Sequence, residues 1–338
     1  MSAPRVLVIG STRAADSLEW HVMDTFNAMG LTASFFQAQP GFARTPTLNR
    51  VVDKLAETYL QEPERRIEKR LLATVREFQP TLILAIQGKQ LSPKTVTKLR
   101  TVTQAPLACW CQDAVTSLGR QFLLGCGYDV VFVKDRYMQS LFSRMIRSTT
   151  FHYLAEACNP RVHRPVALNA KDQERYGCDV MIAGTLYYYR QEILRQLSGI
   201  DLHVWGTRPR WLQYHLSGTH QGPEIVMDEK AKAMRAARIC LNPLHFGEVN
   251  ALNCRAFEIA GCGGFQLVSA VPVSAEHFAA GVELVTFDSA SQLLEQVHHY
   301  LRNPQLAAQI AERGQLRAHR DHTYEIRLGE ILKVCTGS

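Results

Sequence analysis

RAFEIAGCGGFQLVS, Arg255 to Ser269, sets a short helical run, a cluster of glycines and an apolar strand in immediate succession. Glu258 sits inside the otherwise apolar run, and the chain then meets Gly261, Gly263 and Gly264. Burying a carboxylate without a partner is costly, so Glu258 is expected either to be paired or to face a cleft. Glycines between a helix and the run FQLVS let the backbone turn tightly, or let a ligand approach it closely.

Outward from this stretch, short apolar runs alternate with amphipathic helical stretches along the whole chain, the pattern of parallel-sheet α/β domains. In the first half the strands read RVLVIG (5–10), TASFFQ (32–37), TLILAI (81–86), APLACWC (105–111), DVVFVK (129–134) and TTFHYL (149–154). Helices are expected at 17–30 and 92–103, the second opened by Ser92 and Pro93 as cap and first helical residue. The Pro-rich, polar segment CNPRVHRPVALNAKDQERYG reads as a linker. A second series follows, with strands at 179–184, 201–206, 239–244, 265–269 and 282–287 and helices at 186–199, 228–238, 250–261 and 289–303. The expectation is two successive doubly wound domains, 1–165 and 166–320, with a C-terminal helix, 321–338, crossing back to the first. In such sheets ligands bind beyond the carboxyl ends of the strands, and two facing domains would line one cleft.

The 338 residues exceed a single typical core and suit two domains of about 150. No run approaches the ~18 apolar residues of a membrane span. The apolar run in MSAPRVLVIG is shorter than the ~7–15 residues of a signal-peptide core, so it reads as a first strand. The expected location is the cytoplasm, with peripheral attachment to the inner face of the membrane as a further option. A net charge of +7 favours anionic partners: nucleic acid, an acidic membrane surface or phosphorylated small molecules. The densest basic run, ERRIEKR (Glu64–Arg70), mixes in acids like a solvated helix face, and no nucleic-acid-binding signature accompanies it, so nucleic acid is set aside. The nine cysteines show no CxxC spacing, and Cys109 and Cys111 stand too close for a zinc knuckle. They read as buried, reduced thiols.

The longer segment LNPLHFGEVNALNCRAFEIAGCGGFQLVS, Leu241 to Ser269, resembles the donor-binding segment of GT-B glycosyltransferases. It is most similar to the CgeB-like branch of the group-1 glycosyltransferases. VMIAGTLYYYRQEIL, DHTYEIRLGEIL, YLAEACNPRVHRP and ACWCQDAV match as well, so the resemblance runs over nearly the whole chain. It is strongest from Gly184 to Ser269 and in the HTY segment, and weaker before residue 80. Its motifs are specific for the fold and much less so for the substrate.

The resemblance implies an α/β fold of two Rossmann-like, doubly wound domains facing a cleft, with the donor bound by the second domain and the acceptor by the first. Glu258 would then accept hydrogen bonds from the ribose hydroxyls of a nucleotide donor. The alternative is an ion pair with Arg255 at i,i+3, and both can hold. Many relatives carry a second glutamate eight positions earlier, where this chain has Asn250. On a helix that is ~12 Å away; Asn250 would hydrogen-bond a sugar or cap the helix, and Glu248 is a stand-in for the missing charge. Gly184 and Thr185 close a strand and lead into a helix whose free N–H groups suit an anion, or they make a plain tight turn. Gly263 and Gly264 carry the same two readings. Arg255, Arg208 and Arg210 are candidate partners for a diphosphate, because guanidinium matches phosphate oxygens bidentately. With these groups supplying charge and no DxD pair in the chain, neither metal nor cofactor is expected. The expected partner is a nucleotide-sugar donor, UDP- or dTDP-linked.

For the acceptor hydroxyl, Asp113, Asp16, His245 and His152 end or follow predicted strands and are the candidates for general base. Asp113 matches an aspartate recurrent in the branch. The run Tyr187-Tyr188-Tyr189 reads as packing rather than as a sugar platform. The function implied is transfer of a sugar from a nucleotide-diphosphate donor to a hydroxyl on a glycan, protein or small molecule, in surface-glycan synthesis or protein glycosylation. Two alternatives stand beside it: a non-catalytic module that binds a nucleotide sugar or glycan, favoured by Asn250, and a sugar-nucleotide epimerase.

Overall fold

The computed structural model describes residues 4–38, 62–88, 91–115, 118, 122–207 and 220–337. The chain divides into two compact units, one of Met1–Leu154 with Leu328–Ser338, the other of Ala155–Arg327.

In the first unit RVLVIG forms β1 (Arg5–Gly10), in which every residue after Arg5 is buried. A strand covered on both faces needs such an unbroken apolar run. The chain continues through α1 (Leu18–Ala28), β2 (Thr32–Gln37), α2 (Glu62–Phe78), β3 (Leu82–Ile86), α3 (Pro93–Leu99), β4 (Leu107–Cys111), β5 (Val130–Val133), α4 (Arg136–Met145) and β6 (Thr150–Tyr153). The strands are parallel in the order β2-β1-β3-β4-β5-β6. The strand order therefore reverses between β1 and β3, and a crevice opens there beyond the carboxyl ends. Ser92 caps α3 by accepting from the Thr95 N–H, with Pro93 behind it, as the sequence indicates.

The second unit begins with what reads from sequence as linker and is in part a helix, α5 (Ala170–Tyr176). Asn169 and Asp172 close a reciprocal capping box on it, which outweighs the prolines upstream. Then come β7 (Val180–Ala183), α6 (Tyr188–Leu194), β8 (Leu202–Trp205), β9 (His220–Gly222), α7 (Met227–Ala236), β10 (Ile239–Asn242), α8 (Cys254–Gly261), β11 (Gln266–Ser269), α9 (Ser274–His277), β12 (Val285–Phe287), α10 (Ala290–Arg302), α11 (Pro304–Asp321) and the start of α12 (Tyr324–Thr336), whose residues from Leu328 on belong to the first unit. This sheet runs β12-β11-β10-β7-β8-β9, also parallel, so its order reverses between β7 and β10. That is the order of a dinucleotide-binding fold. The two Rossmann-like α/β units agree with the fold class read from the sequence.

The HTY segment helps close the second unit. Cys158 N–H donates to the His322 carbonyl and Tyr324 N–H to that of Cys158, tying residues 155–159 to the start of α12. His322 accepts from Arg327 Nη2 at 2.9 Å and meets the His277 carbonyl through Nε2 at 2.9 Å. Burial lowers its pKa to about 4, so this imidazole is a neutral structural bridge. All nine cysteines are free thiols, and seven are buried. No helix among the described residues is long and apolar enough to cross a membrane.

Candidate functional site

The crevice between β7 and β10 is built around a buried arginine. Arg190, on α6, is 8% exposed and donates through Nη1 to the Thr185 carbonyl at 2.7 Å and through Nη2 to the Pro243 carbonyl at 3.2 Å. One guanidinium thereby links the segments leaving the two strands that flank the point where the order reverses. Gly184 makes room for it. Its φ is 128°, and a Cβ there would lie 3.1 Å from Nη1. Burial pulls the Arg190 guanidinium below its ordinary pKa, Tyr187 opposes the shift, and the charge of Arg255 adds to it. The Tyr187 ring lies under the guanidinium, 4.9 Å away, and stacks edge-on against His245 at 5.2 Å.

The helix that carries Glu258 is anchored to the same edge. Asn253 caps α8 by accepting from the Ala256 N–H, and its side chain exchanges two hydrogen bonds with Asn242, the last residue of β10. Glu258 is 4% exposed and engaged at both oxygens. Oε2 accepts from Arg255 Nη1 at 2.6 Å, and Oε1 lies 3.0 Å from Lys230 Nζ on α7 and 3.8 Å from His163 Nε2. His163 Nδ1 accepts from the Asn159 N–H, so in the neutral ring the proton sits on Nε2, toward the carboxylate. The i,i+3 pair expected from the sequence is present, and a second cation joins it from another helix.

Several expectations need correction. Helix α8 starts at Cys254 rather than at residue 250, so the helical spacing from Asn250 to Glu258 does not apply. The cap of α8 is Asn253, and Asn250 Oδ1 instead accepts from the Val273 N–H at 2.8 Å. Gly263, at φ 71°, donates to the Ala260 carbonyl, and Gly264 to that of Ile259. These two bonds form a Schellman cap. Both N–H groups are consumed at a helix C-terminus, whose dipole repels anions, so neither glycine serves a phosphate. The Gly184 N–H donates to the Trp205 carbonyl, and Thr185 is exposed at the mouth of a helix of only seven residues with no side-chain cap. At this corner the positive group is the arginine side chain, and the Gly184 backbone amide is already spent. Arg208 and Arg210 lie outside the described residues.

Asp113 follows β4, is exposed, and accepts from Gln87 Nε2 at 2.9 Å, which ties it to the end of β3 beside the reversal of the first sheet. Asp16, at φ 67°, pairs its Oδ1 with His21 Nε2 at 3.0 Å, and both side chains are buried. His245 accepts from the Gly247 N–H at Nδ1 while its ring stacks on Phe246 at 4.1 Å. In its neutral form Nε2 carries the proton, so no nitrogen is left to act as a base. His152 lies within β6 with its ring against Phe132, not beyond the strand end. Tyr187 is packed as the sequence suggests, while Tyr188 and Tyr189 are half exposed, with the Tyr189 ring edge-on to Phe246 at 6.1 Å.

Arg190 and Lys230 are the site cations that the sequence does not single out. The signal available for Arg190 is its place in the run that follows Gly184. Lys230 sits in DEKAKAM among exposed charges and gives none.

Residues 190–333 match the family described as glycosyl transferase-like, a span that holds Arg190, Lys230, Arg255 and Glu258. No curated protein matches the chain in sequence. Among solved structures, sucrose-phosphate synthase from Thermosynechococcus elongatus is similar at 14% identity and a TM-score of 0.71, over 98% of each chain. HepE from Anabaena, solved with UDP-glucose, is similar at 12% identity and a TM-score of 0.69, over 99% of this chain and 100% of that one. A glycosyltransferase from Rickettsia africae gives 10% identity and a TM-score of 0.66, over 100% of this chain and 99% of that one. At such identities the likeness is one of fold, and the fold is that of GT-B glycosyltransferases.

Proposed function

We propose that the chain is a glycosyltransferase that moves a sugar from a nucleotide-diphosphate donor to an acceptor hydroxyl, with the donor held by the second unit. The observation that carries this is the gathering of Arg190, Arg255 and Lys230 with Glu258 at the carboxyl edge of a Rossmann-like sheet, inside the span that matches the glycosyl transferase-like family. Negative charge develops on the departing diphosphate, and fixed cations stabilise it without reorganising. Arg190 is such a cation, pinned by two carbonyls. Arg255 is the second, and Glu258 stands beside it to receive the ribose hydroxyls. These groups supply the positive charge, so the reading is metal-independent transfer.

Asp113 is the proposed base for the acceptor hydroxyl, with Gln87 fixing its carboxylate. A uridine donor is the first choice, supported by HepE's complex with UDP-glucose, and a dTDP-linked sugar the second. The CgeB-like branch, action on surface glycans or proteins, and work at the cytoplasmic face of the membrane belong to the same proposal. Calorimetry with UDP, dTDP and GDP sugars, followed by identification of the product, tests it. Binding to one of them with glycoside formation supports transfer, and binding to none ends the reading. Asn250, already engaged by the Val273 N–H, favours one rival: a module that binds the donor without turnover. Release of free nucleotide excludes that rival.

A further inference from the structure

We infer that Lys230 is a positioning residue of the donor site, holding the Glu258 carboxylate charged and in one orientation for a ligand diol. The inference rests on the donor reading of Glu258 given above. Lysine is among the residues least often buried. On α7 its neighbours Asp228 and Glu229 are exposed, while Lys230 is 3% exposed with its Nζ 3.0 Å from Glu258 Oε1.

Stability alone does not call for it. Arg255 already supplies a counter-charge from the same helix, and apolar replacement of buried ions is often neutral or stabilising. The arrangement instead assigns one cation to each oxygen, from two different helices, which fixes both the plane and the charge of the carboxylate. With Lys230 and Arg255 positive and Glu258 negative, these three carry one formal positive charge beside the proposed diphosphate.

Two thiols and a phenol near Glu258 are held in their neutral forms. Burial pushes the Cys158 thiol up to about 12, with the Glu258 charge adding to the rise. It also raises Cys262, where Lys230 opposes and Glu258 adds, and Tyr324, where the charges of Glu156, Cys254 and Glu258 add. His163 has Nδ1 occupied by a backbone donor. Removing Lys230 takes the cation from Oε1 and leaves Arg255 at Oε2. Loss of a nearby cation raises a carboxyl pKa. Below that raised value the variant's carboxyl is protonated, so donor affinity is lost as pH falls.

The test is calorimetry of full-length wild type, Lys230→Met, Lys230→Gln, Lys230→Arg and Glu258→Gln with UDP-glucose, or the donor chosen by the panel above, from about pH 6 to 8.5. Lys230→Met is expected to bind about tenfold more weakly at the acid end and to approach wild type at the alkaline end, as a raised carboxyl pKa requires. Lys230→Gln keeps a donor without the charge; it should show the same acid limb and replaces the Met variant if that one does not fold. Lys230→Arg should restore a flat profile. Equal weakening at every pH, or wild-type affinity throughout, overturns the role of Lys230. Wild-type affinity in Glu258→Gln overturns the donor reading of the carboxylate itself, a separate failure.

Discussion

Acids and amides stand beyond the carboxyl ends of the first sheet, and a group of buried and partly buried cations stands beyond those of the second. Asp113 is held by Gln87, Asp16 by His21, and Glu19 accepts from the Ser11 N–H in the one. Arg190, Arg255 and Lys230 gather with a single carboxylate in the other. Both sheets are parallel and both reverse their strand order. The shared topology supplies two crevices, and it is their side chains that lead the proposal to put a diphosphate at one and an acceptor hydroxyl at the other. Function resides in the site and not in the fold that carries it.

The comparison breaks most visibly at Glu258. Glu258→Ala leaves the buried Lys230 and the partly buried Arg255 without their carboxylate, and breaking a buried pair costs ~3–5 kcal/mol of stability. Donor affinity should fall by a further ~1.5–3 kcal/mol, the range for hydrogen bonds to a charged group. Denaturant titration and calorimetry separate the two effects. A loss of stability with unchanged affinity makes the carboxylate a clamp between α7 and α8 and nothing more.

Asp113→Asn tests the carboxyl edge of the first sheet. Removal of a general base lowers turnover by about a hundredfold or more and leaves donor affinity near wild type, since the base acts in the transition state. Turnover, donor affinity and melting temperature are measured on one preparation. Unaltered turnover, or a fall in donor affinity, removes Asp113 from the mechanism and with it the chemical division between the units.

Arg190→Lys sharpens the cationic side. The charge stays, but one ammonium does not reproduce the fork that reaches Thr185 and Pro243 together. One buried carbonyl is then left without its charged donor, and nucleotide affinity should drop by ~1–3 kcal/mol. Calorimetry with UDP measures it. Affinity within error of wild type would mean that the guanidinium only braces the crevice.

Much of this plan can be read along the chain. RVLVIG, LILAI and LACWC are unbroken apolar runs, and strands buried on both faces require them. Strand β9, HQG, has no such run and is set by pairing with β8. The sequence pattern starts helix α8 too early because the choice between Asn250 and Asn253 as cap depends on Asn242, a partner eleven residues back from Asn253. Glu258 and Arg255 were visible because they lie one turn apart. Lys230 was hidden because its burial depends on a carboxylate from another helix, and local pattern does not encode that.

The smallest effect concerns the glycine turn, where two readings of the sequence competed. Gly263 sits at φ 71° as the left-handed residue that ends α8, and a Cβ there would meet the Pro165 ring at 3.3 Å. Gly263→Ala should therefore lower stability by about 1 kcal/mol through backbone strain at the cap. Its N–H already donates to Ala260, so the substitution removes no donor from a ligand and UDP-glucose affinity should stay at the wild-type value. Thermal unfolding and calorimetry on the same sample read both quantities. Weaker binding at unchanged stability would return the glycine turn to the anion site, and the cationic edge of the second sheet would then include backbone as well as side chains.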